Sequence, residues 1–217
     1  MTTILLIRHG QNDFVGKRLA GRLPVVHLNQ RGREQAEAVA DFLKEAPVKA
    51  IYSSPLERAV ETAEPLAKIC TIPIQIHSGL LEVDFGDWQG KTFKQLHRLK
   101  LWKTVQHNPS EMRFPNGETF AEAQARAAAA IEEIAARYEE NDLVACFSHS
   151  DTIRLAVCHF LMIPLDAFQR VVIDTSSLTT IHLHEGRVFV GNVNLVPGWT
   201  WPKPQEQPAQ EPDKKVV

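Results

Sequence analysis

Leu5-Leu6-Ile7-Arg8-His9-Gly10-Gln11-Asn12 is the stretch that decides how the chain is read. Thr3 to Ile7 form a short, almost wholly apolar run, which predicts a strand buried on both faces of a sheet. The run ends in Arg, His and a hinge Gly. In an open α/β sheet, ligands bind in the crevice outside the carboxyl ends of the strands, so a nucleophile-capable His beside a fixed positive charge falls where a site forms. The Arg8 guanidinium suits phosphate. Taken alone, the same Arg-His pair also fits a surface turn, and the rest of the chain has to decide between the two.

The arrangement recurs. Val48 to Tyr52 is a second short strand, and Ser54-Pro55-Leu56-Glu57 has capping-box spacing with Pro at the first helical position, so a helix is predicted to start there. Its core face is Leu56, Ala59, Val60, Ala63 and Cys70, and Pro65 is expected to kink it or end it early. Arg58 lies in the first turn, just past a strand and near a helix N-terminus whose free N–H groups favour an anion. Leu143 to Phe147 is another apolar strand, followed by Ser148-His149-Ser150-Asp151 and a helix with Ile153, Ala156, Val157, Phe160 and Leu161 on its core face. Two His residues at the carboxyl ends of buried strands, together with Arg58, point to a site.

Asp13 to Val26 reads as an ordered loop over the crevice and carries Lys17, Arg18 and Arg22, and a surface helix follows from about Asn29 to Glu45. Ile74 to Ile76 reads as an edge strand. The segment Leu80 to Gly90 brings Glu82, Asp84 and Asp87 together with Phe85 and Trp88. It is either a turn with solvated carboxylates or a general acid kept protonated by desolvation among aromatics. Helical spacing marks Thr92 to Val105 and a clearer helix after Pro115-Asn116-Gly117, whose apolar stripes read as core. The remaining strands are Arg170 to Ile173, Leu178 to His184 and Val188 to Asn194. His182 and His184 share a strand face but lack a third metal ligand at convincing spacing, so an exposed sheet face is expected.

Strands alternating with helices predict a single α/β domain over residues 1–196, with a mixed, mainly parallel sheet flanked by helices on both faces. Residues 197–217 are rich in Pro, Gln, Glu and Lys and are expected to be disordered. A length of 217 residues suffices for one sizeable core. The formal net charge of -2 and the lack of basic tracts give no reason to expect nucleic acid or membrane as partner. The opening run has no basic start or cleavage site and is too short to span a bilayer, so a soluble, cytoplasmic protein is expected. Cys70, Cys146 and Cys158 sit at unrelated spacings in apolar segments and read as reduced core residues. None of these features sets an oligomeric state.

Taken together, Leu6-Ile7-Arg8-His9-Gly10, Ser53-Ser54-Pro55-Leu56-Glu57-Arg58-Ala59, Leu81 to Gly90 and Ser148-His149 resemble the histidine phosphatase superfamily, and their order also matches. The resemblance spans residues 4 to about 195. It implies that His9 attacks phosphorus to form a phosphohistidine, that Arg8, Arg58 and His149 surround the phosphoryl oxygens, and that Glu82 protonates the leaving oxygen. Chemistry supports those assignments. Imidazole is nucleophilic when neutral, and a neighbouring guanidinium disfavours imidazolium. Phosphoryl transfer needs chiefly positioning and electrostatic stabilisation, which two Arg forks and a donating His149 supply, so no metal or cofactor is expected.

The chain also departs from the family pattern. Gln11, Asn12, Phe14 and Val15 stand where many members have Glu-Thr or Glu-Ser followed by Trp-Asn, and Ser150 follows the second His in place of Gly. Gln11, Asn12, Gly21, Arg22 and Ser150 are the substrate-binding candidates, with Asn12 expected to replace the Asn missing at Val15. Leu81 to Gly90 looks more like the phosphatase branch than the mutase branch. Motifs including Ala20-Gly21-Arg22 and Phe114-Pro115-Asn116-Gly117-Glu118 resemble a bacterial subgroup commonly labelled phosphomutases. The expectation is a metal-independent phosphatase for a small phosphomonoester, most active below neutral pH. A phosphoglycerate-mutase-type phosphotransferase and a non-catalytic phospholigand-binding module are the alternatives. The arginines are expected to pull the Glu82 pKa down unless substrate phosphate offsets them, with Asp84 as substitute acid. Phe14, Phe85, Trp88 and Phe114 read first as core, and second as walls of a pocket for a partly apolar phosphoester.

Overall fold

A computed structural model describes residues 1–200. The disorder expected of the Pro-rich tail falls, for residues 201–217, outside the described residues. The elements in order are β1 (Thr2–Arg8), α1 (Gln30–Leu43), β2 (Val48–Ser53), α2 (Glu57–Cys70), β3 (Ile74–Ile76), α3 (Phe93–Leu96), α4 (Trp102–His107), α5 (Phe120–Ala135), β4 (Leu143–Ser148), α6 (Ser150–Phe160), β5 (Leu178–His184) and β6 (Arg187–Val190). The six strands form one sheet in the order β3-β2-β4-β1-β5-β6. β3, β2, β4 and β1 are parallel, and β5 and β6 run antiparallel along one side.

Burial on both faces explains the apolar runs. In β1, Leu5 and Ile7 pack with Val39, Leu43 and Leu66 of α1 and α2, while Ile4 and Leu6 pack with Ile131, Ile134 and Ile153 of α5 and α6. Each fully buried Ile or Leu of this kind contributes about 1.5–3 kcal/mol. A third cluster, rich in aromatics, joins Phe85, Trp88, Phe114, Phe120 and Phe168 beyond the end of the sheet. The three free cysteines behave as core, Cys146 and Cys158 being buried and Cys70 half-buried.

Register places the functional ends. Arg8 pairs with Ser148 and Ser53 with Phe147, so β1, β4 and β2 end side by side. The chain leaves β1 toward the α1 face and leaves β4 toward the α6 face, so the crevice between them is the switch point at which α/β sheets bind ligands. No helix among the described residues is long and apolar enough to cross a membrane.

Three local expectations fail. Ser54 does not cap α2, which begins at Glu57 after Leu56 with no side-chain cap; the Ser54 hydroxyl oxygen accepts only from Leu56 N–H and lies 2.7 Å from His149 Nε2. Of the two outcomes expected at Pro65, an early end does not occur, since α2 still runs to Cys70. Thr92 to Val105 is two short helices, α3 and α4, since apolar side chains there follow the wall of a cavity rather than one straight stripe. Arg170 to Ile173 is no strand, the chain running from a 3-10 segment at Leu165–Arg170 into loop, with the carbonyl of Ile173 taking a hydrogen bond from Arg8. The last strand is also shorter than expected, Arg187–Val190.

Candidate active site

His9 follows β1 directly and is buried, with its backbone N–H donating to the Ser148 carbonyl at 2.9 Å. Gly10 is required next to it because a Cβ there would lie 2.6 Å from the Gly32 carbonyl oxygen at the start of α1. Its N–H donates to Thr62 Oγ1 at 3.0 Å, and the Thr62 hydroxyl donates to the Arg58 carbonyl at 2.6 Å, tying the His9 loop to α2. His9 Nδ1 lies 2.7 Å from the Gly10 carbonyl oxygen. A carbonyl only accepts, so Nδ1 carries the proton and Nε2 keeps the lone pair a nucleophile needs.

His149 sits behind His9, with ring centroids 5.2 Å apart. Its Nε2 is 2.7 Å from Ser54 Oγ, which also accepts weakly from Leu56 N–H at 3.4 Å. The Ser54 hydroxyl proton therefore points to Nε2. That puts the ring proton on Nδ1, a buried donor with no partner. Burial, then the charges of Arg58 and Arg8, hold the pKa of His9 well below 6.5, and burial followed by Arg58 does the same for His149. Both rings are neutral near pH 7.

Arg58 is 1% exposed, donates from Nη2 to the Gly21 carbonyl at 2.7 Å, and has Nε and Nη1 buried without acceptors. Arg8 donates from Nη1 to the Ile173 carbonyl at 2.7 Å and leaves Nε unpartnered. Burial pushes the Arg58 guanidinium down to about 10. Asn12 accepts at Oδ1 from the N–H groups of Phe14 and Val15 at 2.9 and 3.2 Å, which turns Nδ2 out as a further buried, unpartnered donor. A buried donor without an acceptor costs about 1–3 kcal/mol, more when charged. Five such nitrogens within one small region make sense when an anion is their ligand.

Glu82 lies 8% exposed on the same cavity. Its Oε1 accepts from Val83 N–H at 2.9 Å and Thr152 N–H at 3.2 Å; Oε2 has no hydrogen-bond partner among the described residues. Its pKa is raised, by burial first and the Asp151 carboxylate second, against the pull of Arg58 and Arg8. The arginines were expected to win; burial and Asp151 outweigh them. Asp84, the substitute acid, accepts from Gly86 N–H at 2.9 Å, faces Arg22 at 3.7 Å and does not line the cavity.

The cavity has a volume of about 470 Å³ and is lined by Arg8, His9, Asn12, Gly21, Arg58, Glu82 and Ser150 at its polar end. Three candidates fall outside its lining: His149, which is fully buried behind His9, and two of the substrate-binding set. Gln11 bonds through its backbone N–H to Gln35 Oε1 at 2.8 Å. Arg22 donates to the Glu82 carbonyl from Nε at 2.8 Å and to Glu118 Oε1 from Nη2 at 2.7 Å, so it braces the Glu82 backbone and does not line the cavity. Arg126 completes that brace, donating to the Leu81 carbonyl at 2.9 Å and to Glu118 Oε2 at 3.0 Å. Sequence reasoning missed Ser54, Thr62, Glu118, Arg126, Asp151 and Arg154. Ser54 read as a helix cap, and Glu118 and Asp151 stood in motifs without a role assigned to them. His182 bonds to Thr3 Oγ1 at 3.0 Å, and no group of three or more His, Cys, Asp or Glu side chains among the described residues is placed to hold a metal ion.

Comparison with known proteins finds related chains over most of this one's length. Phosphoserine phosphatase 1 of Hydrogenobacter thermophilus is 28% identical over 202 residues, covering 90% of this chain and 93% of that protein. Among solved structures, Bacillus stearothermophilus YhfR superposes with a TM-score of 0.85 at 29% identity, covering 90% of this chain and 98% of its own. Phosphoserine phosphatase from Entamoeba histolytica, solved in complex with 3-phosphoglyceric acid, gives a TM-score of 0.78 at 26% identity over 89% of this chain and 97% of its own. The family profile of the histidine phosphatase superfamily (branch 1) matches residues 4–195. From β1 to the last turn after β6, the chain belongs to the histidine phosphatase superfamily, branch 1.

Proposed function

We propose that this protein is a phosphomonoesterase that works through a phosphohistidine on His9. The observation that carries the reading is the set of buried, unpartnered donors on Arg8, Asn12, Arg58 and His149 around a His whose Nε2 is free. A phosphoryl group supplies the missing acceptors. Positioning and charge neutralisation then come from this chain's own arginines.

In the first step His9 Nε2 attacks phosphorus, the ester P–O bond breaks, and the proton on Glu82 goes to the departing alkoxide. In the second, water attacks the phosphohistidine, Glu82 takes the water proton, the P–N bond breaks and phosphate leaves with His9 neutral again. Glu82 is thereby reset as an acid. Homologues named as phosphoserine and glucosyl-3-phosphoglycerate phosphatases support hydrolysis of a small phosphoester. A mutase needs a second phosphate site, and the other cavity arginines are engaged: Arg18 with the Gly90 carbonyl at 3.1 Å and Arg154 with Asp151 at 3.0 Å. A binding module would need neither a free Nε2 nor a buried carboxyl whose pKa is raised.

The test is hydrolysis of an aryl phosphate by wild type, His9→Ala and Glu82→Gln, with samples quenched in alkaline detergent and assayed for acid-labile, base-stable phosphoprotein. His9→Ala should lose about three orders of magnitude or more and form no phosphoenzyme. Turnover in His9→Ala equal to wild type would end the proposal.

A further inference from the structure

Resting on the phosphatase reading, we infer that the substrate's leaving group is a neutral, apolar body of about ring size. The enzyme would thus select phosphomonoesters of ring-bearing alcohols over those of small charged ones. The cavity, at about 470 Å³, is far larger than one phosphoryl group needs and lies in the range of pockets that enclose drug-sized ligands. Away from His9 it is walled by Phe14, Leu19, Phe85, Trp88, Trp102 and Phe114. The aromatic wall is preformed. Phe85 meets Phe114 edge-on at 5.0 Å, Phe114 meets Trp88 edge-on at 5.2 Å, and Trp102 stacks along Trp88 at 6.3 Å and 26°. Phe14 and Trp102 are only half-buried and present surface that a ring can cover.

The cavity's remaining charges argue against an ionic leaving group. Arg154 is matched by Asp151 one helical turn back, at 3.0 Å, and the exposed Arg18 is held by the Gly90 carbonyl. A carboxylate placed at Arg154 would face the Asp151 charge, and the ammonium and carboxylate of a serine-type group would both lose water against apolar walls. Arg154 Nε is buried without an acceptor, which suits a neutral oxygen on the leaving group.

The experiment measures kcat/KM of the full chain for benzyl phosphate, ethyl phosphate, O-phosphoserine and 3-phosphoglycerate, all primary alkyl esters. Benzyl phosphate should exceed each of the others by at least about tenfold, the discrimination a hydrophobic pocket affords. Trp102→Ala, with Phe14→Ala as a second variant, should cut the benzyl-to-ethyl ratio by about tenfold. Phosphoserine or 3-phosphoglycerate matching benzyl phosphate, or a ratio unchanged in both variants, would overturn the inference and leave the phosphatase reading intact. Absence of hydrolysis for all four esters together with absence of phosphoenzyme would overturn both.

Discussion

Replacing Arg58 by Met should make the unliganded protein more stable and abolish its activity. The guanidinium is 1% exposed, with two of its three nitrogens lacking acceptors. Burial takes its pKa from 12.5 to about 10, which corresponds to about 3 kcal/mol against the charged form. The sign follows from linkage. At pH 7 Arg58 is protonated in both states, and the cost is relieved only as pH rises through about 10, so a neutral side chain shows the gain at neutral pH. Against it stands the bond from Nη2 to the Gly21 carbonyl at 2.7 Å, worth about 1.5–3 kcal/mol for a charged donor. Met keeps much of the apolar stem. A net gain of about 1 kcal/mol should raise Tm by about 2–4 °C in a domain of this size. Inorganic phosphate at about 100 times its Kd should stabilise wild type by about 2.7 kcal/mol and leave the variant nearly unmoved. Thermal melts with and without phosphate, beside an aryl phosphate assay, check all three. A Tm lowered by more than about 2 °C, or a phosphate shift retained in the variant, would refute the reasoning.

Asp151→Asn removes the carboxylate that helps keep Glu82 protonated, so the alkaline limb of the kcat/KM profile should move to lower pH; a limb that stays in place would clear Asp151 of that role. Glu118→Ala frees both Arg22 and Arg126, which brace the backbone at Glu82, and kcat should fall about 10–100-fold with the far-ultraviolet spectrum unchanged, Glu118→Gln falling less. Gly86 has φ +48°, and an added Cβ would collide with the Pro115 carbonyl oxygen and lie 2.7 Å from the Asn116 carbonyl carbon. Gly86→Ala should therefore cost about 2 kcal/mol or more, read as a lower midpoint in urea.

The sheet was legible because its strands are buried on both faces and each ends in residues of a different kind. Arg8-His9, Ser53-Ser54 and Ser148-His149 mark three strand ends that register brings side by side. Side chains that act through the backbone were not legible. Arg22 looked like a ligand contact because it is basic and close in sequence to the crevice, yet its partners are a carbonyl at position 82 and a carboxylate at 118, pairings no local pattern encodes. Ser54 was misread for a related reason. Its spacing to Glu57 is that of a cap, but α2 starts only at Glu57, and the Ser54 hydroxyl instead pairs with the His149 ring 95 residues away. The aromatics after Gly86 were ambiguous because ring burial and pocket lining are the same fact here, one face on the core and the other on the cavity.

One enclosed space moves its acid and its nucleophile in opposite directions. Burial penalises any charged form, so it raises the pKa of Glu82 and lowers those of His9 and His149. Wherever the pH lies below the raised Glu82 value and above the depressed His values all three are neutral, and the site's fixed charges are then the two guanidiniums of Arg8 and Arg58, which match a phosphoryl dianion. Stability follows the same logic with the sign worked out. The depressed His groups bind protons more weakly in the folded state than in the unfolded one, so their contribution is lost as pH falls below 6.5. The raised Glu82 contributes stability below 4.5 that is lost as pH rises through its folded value. Above that value Glu82 ionises, the acid for the first step disappears, and its charge cancels one of the two that hold the phosphoryl group. Catalysis and substrate binding should therefore fail together on the alkaline side, which is the physical content of an optimum below neutral pH.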